Sequence, residues 1–149
     1  MKKLKSENNS HLRILYDCMG NQKLQQTICG IKKEVPFYIG QDDKVTIYAS
    51  GALVEHFEKG KDKIAFVDNN GKVFFDITQS SRELKLSVAV FDTGVLIGEK
   101  AKNGEQLLQY YTYQGEIIVD SNAKGLIDKV SEFEQRSGLF LDNDELTLE

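Results

Sequence analysis

Two cysteines, two histidines and a scatter of carboxylates are the residues of this chain with chemistry to offer, and their spacing decides which chemistry is open. Acyl transfer needs a nucleophile beside a base, most often a histidine that a carboxylate orients. Neither Cys18 nor any serine comes in that context. His56, with Glu55 and Glu58 nearby, reads as a solvated surface histidine, and His11 as incidental. Cys18 and Cys29 are too few for a disulfide framework and lack the partners of a zinc site. Both fall in expected strands of one hairpin, where they would face each other as buried thiols. Glycosidic cleavage needs two carboxylates about 5–9.5 Å apart across a cleft. Asp68, Asp92 and Asp120 instead each end an expected strand, where aspartate holds a turn by local hydrogen bonds.

Two motif-like runs fail on spacing. Asp142-Asn143-Asp144-Glu145 offers half of a cation loop, without the glycine and distal glutamate of an EF-hand. In Gly94-Val95-Leu96-Ile97-Gly98-Glu99-Lys100 the glycines stand one residue too close for a phosphate loop. Lys100 is also followed by Ala101 where such a loop needs a hydroxyl. No catalytic residue, cofactor or metal site is assigned, and no enzyme is expected. The best binding candidate is the cluster Tyr110, Tyr111 and Tyr113, because tyrosine offers stiff contact area with a polar tip. Tyr111 is expected on the opposite face from Tyr110 and Tyr113, leaving at least one ring exposed or meeting another layer.

Size and charge bound the rest. At 149 residues the chain is expected to form one β-rich domain, 1–149. A formal charge of −4 gives no field to hold a polyanion, so nucleic acid is not an expected partner. Lys2, Lys3 and Lys5 open the chain, and Asp142, Asp144, Glu145 and Glu149 close it. These are solvated termini, or complementary ends for head-to-tail assembly. No run approaches the ~18–20 apolar residues of a membrane helix, and no apolar signal core follows the basic start. The expectation is therefore a protein that is cytoplasmic at synthesis, with no membrane partner. Without a secretion signal, the glycosylation triplet Asn8-Asn9-Ser10 is a chance match.

The elements that would carry these residues are mostly strands. Leu12–Tyr16 and Lys23–Ile28 flank the reversal Gly20-Asn21, and Glu34–Ile39 and Lys44–Ala49 form a second expected hairpin. Pro36 removes a backbone donor and confines its strand to an edge or to its first residues. Between Ser50 and Lys61, Leu53, Val54 and Phe57 fall at helical spacing, which predicts a short internal helix ended by Gly60. From Lys63 to Lys102 the pattern is an antiparallel meander turning at Asn70-Gly71, a type I′ signal, and at Asp92-Thr93-Gly94. Its inward face carries Val73, Phe75 and Ile77, then Leu84, Leu86, Val88 and Val90, then Val95 and Ile97. Phe74, Phe91 and Leu96 break the polar outer face and imply a second layer: a sheet, a helix or a neighbouring subunit. A last hairpin turns at Gln114-Gly115. Leu126, Ile127, Val130 and Phe133 then mark a C-terminal helix over about 122–137, with Gly138 as its stop, before Leu139-Phe140-Leu141 and the acidic tail. The class is mainly β, an antiparallel β-sandwich or barrel-like domain with a short internal helix and a C-terminal helix.

The meander carries a family likeness. Lys63 to Thr78, with Val-Asp-Asn-Asn-Gly-Lys-Val at its centre, then Glu83 to Phe91, Asp92-Thr93-Gly94 and Val95 to Lys100, resembles the N-terminal β-sandwich domain of phage baseplate upper proteins. The resemblance covers about 40 residues and implies a non-enzymatic structural or attachment component of a phage tail, baseplate or similar particle. Such a component would work through β-sheet surfaces, self-association and contacts with other particle subunits, and would enter the virion. The interface candidates are Tyr110, Tyr111, Tyr113, Phe74, Phe91 and Leu96. The alternative is a small cytoplasmic binding or regulatory protein, an inhibitor or immunity-type module, acting through an acidic surface.

Overall fold

Alternating apolar residues and glycine turns fold this chain into strands that pair with their neighbours in sequence. A computed structural model describes residues 1–6, 11–58, 61–79 and 84–138. The Asn8-Asn9-Ser10 triplet, Gly60, Glu83, the 139–141 block and the acidic residues Asp142, Asp144, Glu145 and Glu149 lie outside the described residues. The protein is mainly β, with three antiparallel sheets and one helix among the described residues. It divides into two compact units, Leu4–Arg82 and Met1–Lys3 with Glu83–Glu149.

The N-terminal unit, Leu4–Arg82, holds two sheets. The first is β1 (Leu12–Tyr16), β2 (Gln22–Ile28) and β3 (Ile31–Glu34), in that order. The second is β4 (Lys44–Tyr48), β5 (Gly51–Glu58), β6 (Lys61–Asp68) and β7 (Val73–Gln79). Leu12 and Leu24 of the first sheet, with Val35 and Ile39 beyond it, share one buried core with Ala52, Val54, Ala65 and Val67 of the second. Two sheets closed over one apolar layer make a small sandwich.

The internal helix expected between Ser50 and Lys61 is instead strand β5, paired with both β4 and β6. Val54 enters the shared core, while its neighbour Leu53 is buried on the opposite face. A strand buried on both faces shows no alternation, so its short apolar run imitates a helical stripe. The second expected hairpin is corrected in the same way: β4 pairs with β5, Ile31–Glu34 pairs with β2, and Pro36 lies between strands.

Four hairpins close on one turn geometry. The amide of Gly20, Gly71, Gly104 or Gly115 donates to the carbonyl three residues earlier, at 3.0–3.1 Å. In each, only the glycine takes a positive φ, between 81° and 94°. This is a type I turn followed by a left-handed glycine, so Asn70-Gly71 is not the type I′ turn that its sequence suggests. The two-residue reversal with two positive φ values falls at Cys29-Gly30, where Ile28 faces Ile31 and φ is 52° and 80°. Cys18 and Cys29 thus sit in turns, exposed and free, rather than buried in strands.

The expected meander is also interrupted. β7 and β8 belong to different sheets, so its two turn signals serve two separate hairpins. Within β7 the register against β6 shifts at Phe66/Val67, and Phe74 is the extra residue between the pairs Phe66–Phe75 and Val67–Val73. A bulge of this kind redirects side chains. Phe74 and Phe75 both reach Phe66, at 6.3 Å each, and Val73 leaves the face it was expected to share with Phe75 and Ile77.

Among its described residues the C-terminal unit, Met1–Lys3 with Glu83–Glu149, is one sheet and one helix. Strands β8 (Leu84–Val90), β9 (Gly94–Ala101), β10 (Gln106–Thr112) and β11 (Ile117–Asp120) follow in order, and α1 (Ala123–Arg136) packs on β10 and β11. Val88 pairs with Ile97 and Val90 with Val95, the register that the alternation predicts. Asn122 caps α1 by accepting hydrogen bonds from the amides of Lys124 and Gly125, and Gly138 follows its end with φ 78°.

Candidate functional site

The tyrosine-bearing strand β10 places its residues by alternation, and most of the expected interface turns inward. Tyr110 lies opposite Leu96 and Ile118 on the sheet face that α1 covers. It is fully buried, with its ring 6.1 Å from that of Phe91. Phe91 and Leu96 pack in the same cluster with Leu126 and Val130 of the helix. The second layer over Phe91 and Leu96 is therefore the chain's own α1; both are half-buried and pack against Tyr110, which alone of the three is a core residue. Phe74 lies in the N-terminal unit beside Phe66 and Phe75. Tyr113 stands past the end of β10 and donates its hydroxyl to the carbonyl of Phe91 at 2.9 Å. Tyr111 alone takes the face away from α1, half-buried, with its hydroxyl on Gln109 Oε1 at 3.1 Å.

Tyr110 leads into a buried polar chain that sequence reasoning missed. Its hydroxyl meets Thr93 Oγ1 at 2.6 Å, and Thr93 Oγ1 donates to Glu134 Oε2 at 2.7 Å. Glu134 is only 3% exposed, and its other oxygen accepts from the Met1 ammonium at 2.9 Å. Burial, helped by the Glu134 charge, raises the Tyr110 phenol far above its ordinary range, so it stays protonated. The sequence signal was present: Glu134 lies four residues after Val130 and eight after Leu126, so a carboxylate occupies the apolar stripe of α1. Gly94 makes the close packing here feasible, since a Cβ at that position would stand 2.5 Å from the Tyr111 carbonyl and 2.7 Å from the Tyr110 ring.

Beside this chain of contacts lies an apolar cleft of about 310 Å³, lined among others by Met1, Phe91, Leu96, Leu108, Leu126 and Ile127. Its size is at the small end for ligand pockets, and its walls offer few polar groups. In the N-terminal unit a more polar trough of about 530 Å³ opens between Asp17, Lys23, Glu34 and Tyr38. There, hydrogen bonds from Asn21 and Met19 hold the Asp17 carboxyl below its usual range.

His56 is the other group with a built environment. Strand geometry puts His56 and Glu58 on one face, and Nε2 meets Glu58 Oε1 at 2.6 Å. Nδ1 is 3.2 Å from the Asp42 carbonyl and 3.3 Å from Asp43 Oδ1, and Asp43 also binds Lys63 Nζ at 3.2 Å. The hydrogen bond to Glu58, and then that to the Asp42 carbonyl, raise the His56 pKa above 6.5. Both ring nitrogens face acceptors, which favours the protonated ring and ties the 42–43 loop to β5. Its stabilising effect is complete below the ordinary value near 6.5 and is lost as the pH rises through the raised value. Thermal unfolding between about pH 5.5 and 8.5 is expected to show this decline in the parent and not in His56→Gln. Parallel pH profiles would refute it.

Among the described residues no three histidine, cysteine, aspartate or glutamate side chains are grouped to hold a metal ion, and no helix is long and apolar enough to cross a membrane. Compared with protein-family models, curated proteins and solved structures, the chain matches none of them.

Proposed function

We propose that this protein is a non-enzymatic component of a larger particle, with a phage tail or baseplate as the setting that the sequence of its 63–100 segment resembles, and that it works by protein–protein contact. The observation that supports this reading is an apolar strip on the sheet face opposite α1. Ile117 is 57% exposed and Val119 42% exposed, and Ile117 stands in register with Tyr111. Val95 and Ile97 further in on that face are fully buried, so the exposed strip is its β11 margin, where apolar side chains gain about 25 cal/mol per Å² when another surface covers them. The contact uses the face rather than the strand edge, because Lys129 Nζ donates to the Val119 carbonyl at 3.0 Å and pairs with Asp120 at 3.1 Å. A lysine over an edge carbonyl blunts strand addition.

Light scattering coupled to size-exclusion chromatography tests the reading. The parent is expected to self-associate as its concentration rises, and the double variant Ile117→Lys, Val119→Lys to remain monomeric with an unchanged far-ultraviolet spectrum. A parent that stays monomeric at every concentration and joins no particle removes this reading and favours an inhibitor or immunity-type module.

A further inference from the structure

We infer that the C-terminal unit carries a recognition site for an unblocked polypeptide N-terminus, selective for a free α-ammonium on an apolar first residue, and that residues 1–3 fill it in cis. The inference is independent of the particle reading.

The anchor is Glu134. A carboxylate taken out of water on the apolar stripe of a helix is costly unless a cation and further donors meet it. Here Thr93 holds one oxygen at 2.7 Å, and the cation at the other, 2.9 Å away, is the α-ammonium of Met1. Thr93 is fixed in turn by the Tyr110 hydroxyl at 2.6 Å, so the acceptor is oriented before the amine arrives.

The next element reads the first side chain. Met1 lies along the apolar cleft formed by Phe91, Leu96, Leu108, Leu126 and Ile127. About 310 Å³ remains open beside it, so apolar first residues other than methionine fit as well.

The following two residues are read through the backbone. Lys2 N–H donates to Asp92 Oδ1 at 2.8 Å, the Asp92 amide donates to the Lys2 carbonyl at 2.8 Å, and Lys3 forms an antiparallel bridge with Phe91. The side chains of Lys2 and Lys3 are exposed, so the site places no demand on their identity. Amine capture, an apolar seat and a short stretch of added strand together form a peptide-recognition mode.

The tripeptide belongs to the C-terminal unit, although the chain then runs into the other one, Leu4–Arg82. Its hold on the site is therefore that of a tethered ligand, governed by effective concentration, and a free peptide of the same chemistry competes for the same seat.

The experiment uses the full chain with three beginnings: a free Met1, an Nα-acetylated Met1, and a cleavable fusion whose removal leaves Met1 first. The free form is expected to unfold at the highest temperature, with the acetylated and fused forms lowered alike. In Glu134→Gln the three midpoints should converge. A Met-Lys-Lys peptide labelled at its C-terminus is expected to bind the uncleaved fusion at least roughly tenfold more tightly than its Nα-acetyl form, and cleavage should abolish that binding. Equal midpoints for the three beginnings in the Glu134 protein would overturn the site. Failure of the fusion to prefer the free peptide would overturn its reach in trans.

Discussion

Replacing Tyr110 by alanine is expected to cost about 3–5 kcal/mol of folding stability, the range for removing a large buried aromatic side chain. Tyr110 is the largest fully buried side chain among the described residues, and it joins the sheet to α1 through Phe91, Leu126 and Val130. A domain of this size has about 5–15 kcal/mol in total, so the alanine variant loses a large share of its stability. Tyr110→Phe separates the ring from the hydroxyl. It keeps the contact with Phe91 and loses the bond to Thr93, which retains Glu134 as a partner, so a cost of about 1 kcal/mol is expected. Urea denaturation of the pair gives both quantities. If Tyr110 were a surface contact, its alanine variant would stay within about 0.5 kcal/mol of the parent; that result would refute its place in the core.

Phe66→Ala should be comparably severe in the N-terminal unit, again about 3–5 kcal/mol. Phe66 is fully buried, stacked on Phe75 and edge-on to Phe74, both at 6.3 Å. It also covers Gly51, where a Cβ would stand 2.8 Å from the ring, so the cavity left behind cannot be filled by a local side chain. Phe74→Ala is the internal comparison. Phe74 is only half-buried and sits on the bulge, so the cost is expected to be less than half of that at Phe66. Equal shifts in the urea midpoint for the two variants would contradict this account of the aromatic cluster.

What was legible in the sequence was what neighbouring residues decide among themselves. The helix came out within a residue or two of Ala123–Arg136 because its apolar stripe and its glycine stop agree. The inward register of β8 and β9 came from strict alternation. Both elements are half-buried, so the pattern in the sequence records the burial. Strand β5 was misread because it is covered on both faces: Leu53, Val54 and Phe57 carry no two-residue period. Asn70-Gly71 was given the wrong turn type because aspartate at Asp68 accepts from the amides of Asn70 and Lys72, which favours the longer loop. The candidate site was less legible still. Phe91 and Leu96 announced a second layer, but not that α1, some thirty residues on, supplies it. Glu134 stands in the apolar stripe of α1, but its partners Thr93 and Met1 are remote in sequence, and no local pattern encodes them.

The order of pairing in the three sheets sets how this protein gains and loses its fold. Each strand bonds to the strand before or after it in the chain, so loop closures are short and hairpins form on a scale of about 1–10 μs. The Met1–Glu134 pair spans 133 residues. Its long closure, which needs Thr93, Tyr110 and α1 brought together, makes it expected to form after the step that decides the rate of folding. A contact made after the transition state slows unfolding and leaves folding unchanged. Residues 1–3 are therefore expected to act as a brake on escape from the native state, so that seating the tail lengthens the lifetime of the fold more than it changes the speed of its formation.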